Sequence, residues 1–273
     1  MEYLQALVLG LVQGITEFLP ISSTAHLIIF TDMLGWKTLW TKPAIDAIQF
    51  GSVIAVIWYF RQDIRQILGG GWLAFRQKDW EREEWKILAG IAIGTVPVLI
   101  GGFFKKRLPE STQAILDGAI VIAIASIVMA LLLGLAERIG TRKRRFSQLQ
   151  IVDGLLVGLG QAVALIPGVS RSGATLTTAL FLGLERQTAA RFSFLLGIPA
   201  LAIATLVQAK DAVGNSQLFM PLIVGIISAA IFSYIFIAWL LRYLQTQSTW
   251  VFVWYRLALG SCLLLSIALG QLK

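Results

Sequence analysis

The sequence is short of charge, histidine and cysteine. Of its 273 residues 14% are charged, where a soluble domain carries about 25%. That shortage excludes a water-facing surface over most of the chain. The lone cysteine, Cys262, lies in an apolar run, which excludes a disulfide framework and a thiolate metal site. His26 is the single histidine. Met1 and Glu2 bring no basic stretch and no small-residue cleavage site follows, so the first apolar segment is expected to be retained.

What is present instead is apolar. The chain is 57% hydrophobic, with a mean hydropathy of +0.76. The class expected is an all-α polytopic membrane protein forming a single integral domain over residues 1–273. The formal net charge of +8 then reads as basic loops that set topology and meet anionic headgroups, with no nucleic acid as partner.

Polar residues gather where they are costly. The run from Gln13 to His26, QGITEFLPISSTAH, holds a carboxylate, an amide, four hydroxyls and the imidazole. The apolar segment before it, Leu4 to Phe18, reaches about 22 Å, short of the about 30 Å of hydrocarbon. Pro20 disfavours continued helix. Ser22, Ser23 and Thr24 suit the start of a second short helix that runs to about Leu34. This predicts a re-entrant hairpin whose polar break lines a cavity, because broken backbone at membrane depth needs one.

Spans are expected from Ala44 to about Leu68, Ile87 to Phe104 and Gly118 to Ala136. An amphipathic, Trp-rich connector, Arg61 to Lys86, should lie on the membrane surface. After the basic loop Arg142–Arg145 the opening pattern returns. Leu149 to Leu165 is short and apolar, and a break follows from Pro167 to Thr175, PGVSRSGAT, before a second short run to Leu184. A shift of 148 residues aligns Leu7, Gly10, Leu11, Gln13 and Ser22 with identical residues at Leu155, Gly158, Leu159, Gln161 and Ser170. Three more spans follow: Phe192–Ala209, about Leu218–Leu241 and about Trp250–Leu272. Each half, about 1–147 and about 148–273, thus reads as one hairpin plus three crossings. Three is odd, so the halves form an inverted-topology repeat with the two breaks meeting near the midplane.

Lys and Arg orient it. Fifteen fall at one end of the spans, Arg242 and Arg256 among them. Seven fall at the other: Lys37, Lys42, Lys105, Lys106, Arg107, Lys210 and Lys273. The richer side is expected in the cytoplasm, which puts the N-terminus and the first hairpin outside.

Two facing breaks would make an anion site. Helix N-termini present free N–H groups and partial positive charge. Arg171 adds a forked donor suited to phosphate. Glu17 beside an anion calls for a bridging cation, and a divalent ion held by few protein oxygens plus phosphates fits. Anion, metal, hydroxyl and imidazole are the parts needed for phosphoryl transfer. Plainer readings stand beside this one. Glu17 could pair with Arg171 as a structural ion pair. His26 could be an interior hydrogen-bonded histidine. Ser170 and Ser172 could be caps, Gln161 could bond a neighbouring helix, and Asp46, Asp117 and Asp153 sit near span ends where water solvates them. An anion transporter also uses inverted repeats with broken helices.

The two motifs permit a family comparison. Gln13-x-x-x-Glu17 with the following FLPISSTAH resembles the (E/Q)xxxE segment of the BacA-type undecaprenyl-pyrophosphate phosphatases, and PGVSRSGAT matches that family's PGxSRSxxT. Gln13 stands where the family varies between Glu and Gln, and Ala25 where glycine is usual. The resemblance spans the chain. It implies an enzyme that removes the terminal phosphate from the C55 isoprenyl pyrophosphate, returning the carrier to cell-wall synthesis and giving bacitracin resistance. It implies a divalent cation, Mg²⁺ or Ca²⁺, and an outward-facing site in the bacterial cytoplasmic membrane. The expected ligands of that ion are Gln13 and Glu17. Glu17 is expected to bind it or act as base, with Ser23 as nucleophile and His26 as acid/base group or as nucleophile in its place. Ser22, Thr24, Ser170, Arg171, Ser172 and Thr175 are expected to hold the phosphates, with Arg171 also stabilising the reacting group. The expected partners are the polyprenyl pyrophosphate substrate and the surrounding membrane lipids, and a homodimer is left open.

Overall fold

The computed structural model describes residues 1–212 and 218–270. The expected span end at Leu272, and Lys273, lie outside them. The described residues fold into helices without strands. In order these are α1 (Glu2–Thr16), α2 (Ser23–Met33), α3 (Lys42–Tyr59), α4 (Arg61–Gln77), α5 (Glu83–Lys105), α6 (Glu110–Leu116), α7 (Ala119–Ile139), α8 (Ile151–Val163), α9 (Arg171–Phe181), α10 (Arg186–Ala212), α11 (Phe219–Thr246) and α12 (Trp250–Ala268).

Among the described residues five helices are long and apolar enough to cross a membrane: α5, α7, α10, α11 and α12. A sixth candidate is α3 taken together with α4, a pair that is apolar enough as one span but bent by 64°. That bend corrects the expected span from Ala44 to Leu68. The helix stops at Tyr59, where buried Phe60 packs at 6.3 Å against Phe194. The chain then turns into amphipathic α4. Its Ile67, Gly71 and Ala74 face inward, while Leu68, Trp72 and Phe75 are exposed, the pattern of a helix lying at the interface. The short helix α6, in the loop after Lys105–Arg107, was not expected.

Besides the connecting helices α4 and α6, four helices are too short to cross: α1 and α2, α8 and α9. Each pair forms a re-entrant hairpin. The two halves pack by exchange. Helix α1 lies on α11 and α8 lies on α5, while α3 meets α10 and α7 meets α12. Swapping each helix for its counterpart reproduces these contacts, as an inverted repeat requires. Small residues allow the approach. A side chain on Gly154 or Gly158 would fall on the backbone of Gly90 or Gly94, and one on Gly10 would fall on Gly225. Helices in lipid associate by such close packing, because hydrocarbon offers no hydrophobic drive.

Asp153 is also corrected. It is 2% exposed, not solvated. Its carboxylate takes both Arg144 nitrogens, at 2.9 and 2.6 Å, and the Gln150 N–H at 2.8 Å. The carboxylate pushes the Arg144 guanidinium further up from its already high range. This clamp starts α8 and so fixes where the second hairpin enters.

Candidate active site

The two breaks are built alike. Ser22 caps α2 and Ser170 caps α9, and each accepts a backbone N–H three residues on, from Ala25 at 3.4 Å and Gly173 at 3.1 Å. Both serines hold a positive φ, 74° and 71°. A non-glycine residue there costs about 1–3 kcal/mol, and such strain clusters at functional sites. Gly168, with φ of 90°, has its Cα face against the Ile122 backbone, where no side chain fits.

The first residue of each capped helix reaches the same carboxylate. Ser23 Oγ donates to Glu17 Oε2 at 2.8 Å, and Arg171 Nη2 lies 3.2 Å from Glu17 Oε1. Gln13 Nε2 donates to Oε2 at 3.0 Å. The ion pair weighed against the catalytic reading of Glu17 is therefore present. It does not lie in sealed protein. Glu17, Ser22, Ser23, Thr24, Ser170 and Arg171 all line one cavity of about 180 Å³, room for several waters or a phosphate group. Apolar Leu165, Ile166, Ala200 and Leu201 complete its wall. Phe18, packed edge-on at 5.2 Å against Phe194 of α10, holds the backbone beside Glu17.

Other expected residues are placed differently. Ser172 is 3% exposed, and its hydroxyl lies 2.9 Å from the Leu19 carbonyl and 3.2 Å from that of Glu17. It stitches the second hairpin to the first break. Thr175 is fully buried; its hydroxyl bonds the Arg171 carbonyl at 2.8 Å and the Ser193 hydroxyl, away from the cavity wall. His26 also lies off the cavity. Its Nδ1 meets the Ser22 carbonyl at 2.7 Å and its Nε2 meets the Tyr255 hydroxyl at 2.5 Å, with the two rings stacked. A carbonyl only accepts, so Nδ1 carries a proton.

Arg256 was missed. Counted as a cytoplasmic charge, it is 1% exposed and sits between the breaks. Its guanidinium donates to the carbonyls of Pro20 at 3.0 Å, Gly168 at 2.7 Å, Val169 at 3.0 Å and Ser126 at 3.3 Å. One planar fork thus joins both breaks to α7. Gln161 and Gln49 also line the cavity. Gln161 was expected to bond a neighbouring helix, yet neither of its amide atoms has a partner among the described residues.

With this geometry in view, the family model described as bacitracin resistance protein BacA matches residues 6–262. The chain belongs to the BacA family. It is 60% identical over 271 residues to a protein of Thermosynechococcus vestitus named undecaprenyl-diphosphatase, covering 99% of this chain and 98% of that one. It is 52% identical over 280 residues to one of the same name in Trichormus variabilis, covering 100% and 86%. A third such protein, from Synechococcus elongatus, is 51% identical over 277 residues, covering 98% and 94%. The two motifs that carry the family resemblance are thus the same two stretches that meet around Glu17.

The fit of a divalent ion rests on the oxygens present. Among the described residues no cluster of three or more Asp, Glu, His or Cys comes together, and Glu17 is the one carboxylate on the cavity. Gln13, 2% exposed, turns its amide onto Glu17 and does not line the cavity. An all-protein cage does not fit. An ion held by one carboxylate, water and the phosphate oxygens of a substrate does, in the manner of Mg²⁺.

Proposed function

We propose that this membrane protein hydrolyses the pyrophosphate of the C55 polyprenyl carrier, releasing the terminal phosphate and returning the lipid monophosphate to cell-wall synthesis. The observation that carries this reading is the meeting of Ser23, Arg171 and two capped helix N-termini around Glu17 in one cavity. The polar end of that cavity suits the headgroup, and its apolar wall suits the first isoprene units.

Ser23 and Glu17 stand as hydroxyl and base. Ser23 Oγ passes its proton to Glu17 and attacks the terminal phosphorus. The anhydride P–O bond breaks, and the lipid monophosphate leaves with the bridging oxygen, which takes the proton back from Glu17. Water then gives a proton to Glu17 as it attacks the phosphoserine, the Ser23 oxygen leaves and recovers that proton from Glu17, and inorganic phosphate departs. Arg171 turns from Glu17 onto the phosphate oxygens, where its planar fork and the free N–H groups of α2 and α9 stabilise charge spreading over the transferred group. Its departure leaves Glu17 free to accept the proton. A divalent ion on Glu17 would neutralise phosphate charge when bound. His26 is read as a positioning residue, holding the Ser22 carbonyl and hence the strained cap beside Ser23.

Two halves, about 1–147 and about 148–273, would place the site at their interface. The basic asymmetry supports a bacterial inner-membrane location with the site open outward. Removing Arg256 from the cytoplasmic tally leaves fourteen against seven, so its direction stands.

The test is phosphate release in detergent from a short-chain polyprenyl pyrophosphate, with a chelator and then added Mg²⁺ or Ca²⁺. Release that stops on chelation and returns with the ion supports the scheme. No release from well-folded protein would favour a carrier built on the same repeats.

A further inference from the structure

Gln161 is the buried amide that the scheme above does not use. It lies on α8, fully buried, and lines the cavity with Glu17, Ser23 and Arg171. Among the described residues neither Oε1 nor Nε2 has a hydrogen-bond partner. Buried polar groups are almost always paired, so each exception needs a cause. Its counterpart 148 positions earlier, Gln13, gives its Nε2 to Glu17 one turn on. One turn on from Gln161 stands Leu165, which offers no carboxylate. Arg171 Nε, on the same cavity, also has no partner among the described residues. Two buried N–H donors beside one cavity, without a protein acceptor, are met by water or by the acceptor oxygens of a ligand.

We propose that Gln161 is a further substrate-binding residue, whose Nε2 donates to a phosphate oxygen of the pyrophosphate headgroup beside Arg171. This rests on the phosphatase reading given above. The amide is neutral, so it orients the headgroup without adding charge. Its Oε1 accepts from water bound with the headgroup. Because the contact is to phosphate and not to the isoprenoid, free inorganic pyrophosphate should feel it as strongly as the lipid does.

The experiment uses two variants of the full chain in detergent. Gln161→Leu keeps the approximate shape and removes both polar atoms. Gln161→Glu replaces the donor with a carboxylate facing phosphate. Three quantities are read: KM for a short-chain polyprenyl pyrophosphate, Ki for inorganic pyrophosphate, and the melting temperature without ligand. The leucine variant should raise KM and Ki together by about tenfold, the size of one hydrogen bond to a charged group. The glutamate variant should raise both further. The ligand-free melting temperature of the leucine variant should hold or rise, because no existing bond is lost. A leucine variant with parental KM and Ki overturns the inference, whether or not its melting temperature falls. A parent protein that releases no phosphate overturns the phosphatase reading beneath it, a separate result.

Discussion

Arg171 Nη2 and Glu17 Oε1 meet at 3.2 Å across 154 positions of chain, joining the start of α9 to the break that ends α1. Removing one partner of a sealed ion pair costs about 3–5 kcal/mol. This pair borders a cavity, and water there can solvate the guanidinium. Glu17→Gln should therefore lower stability by well under that amount, about 1 kcal/mol, as for a pair that water reaches. Turnover at saturating substrate should fall by about 100-fold or more, the contribution of a positioned base. Melting temperature and kcat of the same variant check both. A variant that keeps its turnover would move the base away from Glu17.

Gly197 of α10 sets where Arg171 lies. A methyl group there would coincide with the Arg171 guanidinium. Gly197→Ala should displace the fork without touching its charge and reduce kcat by about 100-fold, as loss of a preorganised donor does. Arg171→Lys should have a similar effect, since an ammonium lacks the planar pair of donors. Combining the two should cost little more than either alone, because both act through one group. Additive losses in kcat would show that Gly197 acts through something other than Arg171.

The fold was legible because its signals are local. Apolar runs too short to cross, each followed by proline and cap-forming serines, mark both hairpins, and the 148-residue shift relates them. The line-up of Ser23, Glu17 and Arg171 was legible for the same reason, since each stands at a break. Arg256 was not. In sequence it follows Trp254 and Tyr255, the company of an interfacial residue, and nothing local says that the carbonyls of Pro20 and Gly168 come to meet it. Tyr255 was missed with it. The extension of the third helix to Leu68 had a similar cause. Ile64, Ile67 and Leu68 continue the hydropathy past Phe60, while the bend depends on tertiary contacts with Phe194. Thr175 shares the PGVSRSGAT motif with Arg171, yet it sits a turn inside α9, where its hydroxyl bonds backward to the helix.

Arg256 is a buried charge whose hydrogen bonds all go to backbone carbonyls. Two effects oppose. Removing the charge relieves its desolvation. Removing the fork leaves the carbonyls of Pro20, Gly168 and Val169 unpaired at about 1–3 kcal/mol each. The second effect involves three groups, so Arg256→Met should lose about 3 kcal/mol and Arg256→Lys somewhat less. Thermal melting in one detergent compares them. An unchanged melting temperature in the methionine variant would mean that relief of desolvation cancels the loss at these three carbonyls.

Orientation can be read with single cysteines. Cys262 is exposed, so it is first changed to alanine. Ser111 lies on α6, beyond the basic Lys105–Arg107 end of α5, and is exposed; Lys143 lies on the loop between α7 and α8 and is also exposed. If the basic-rich end faces the cytoplasm, Ser111→Cys should react with a membrane-impermeant maleimide on intact spheroplasts. Lys143→Cys should react only after the membrane is opened. Both variants must retain phosphate release, so that labelling reports the working topology. The cavity bears on this result directly. Lys105 Nζ bonds the Leu165 carbonyl at 2.7 Å, and Leu165 lines the cavity, so the end of α5 that carries Lys105 lies beside it. Labelling at Ser111 from outside therefore places the cavity mouth outside too. The reverse pattern would turn the site toward the cytoplasm and require the substrate headgroup to be hydrolysed there.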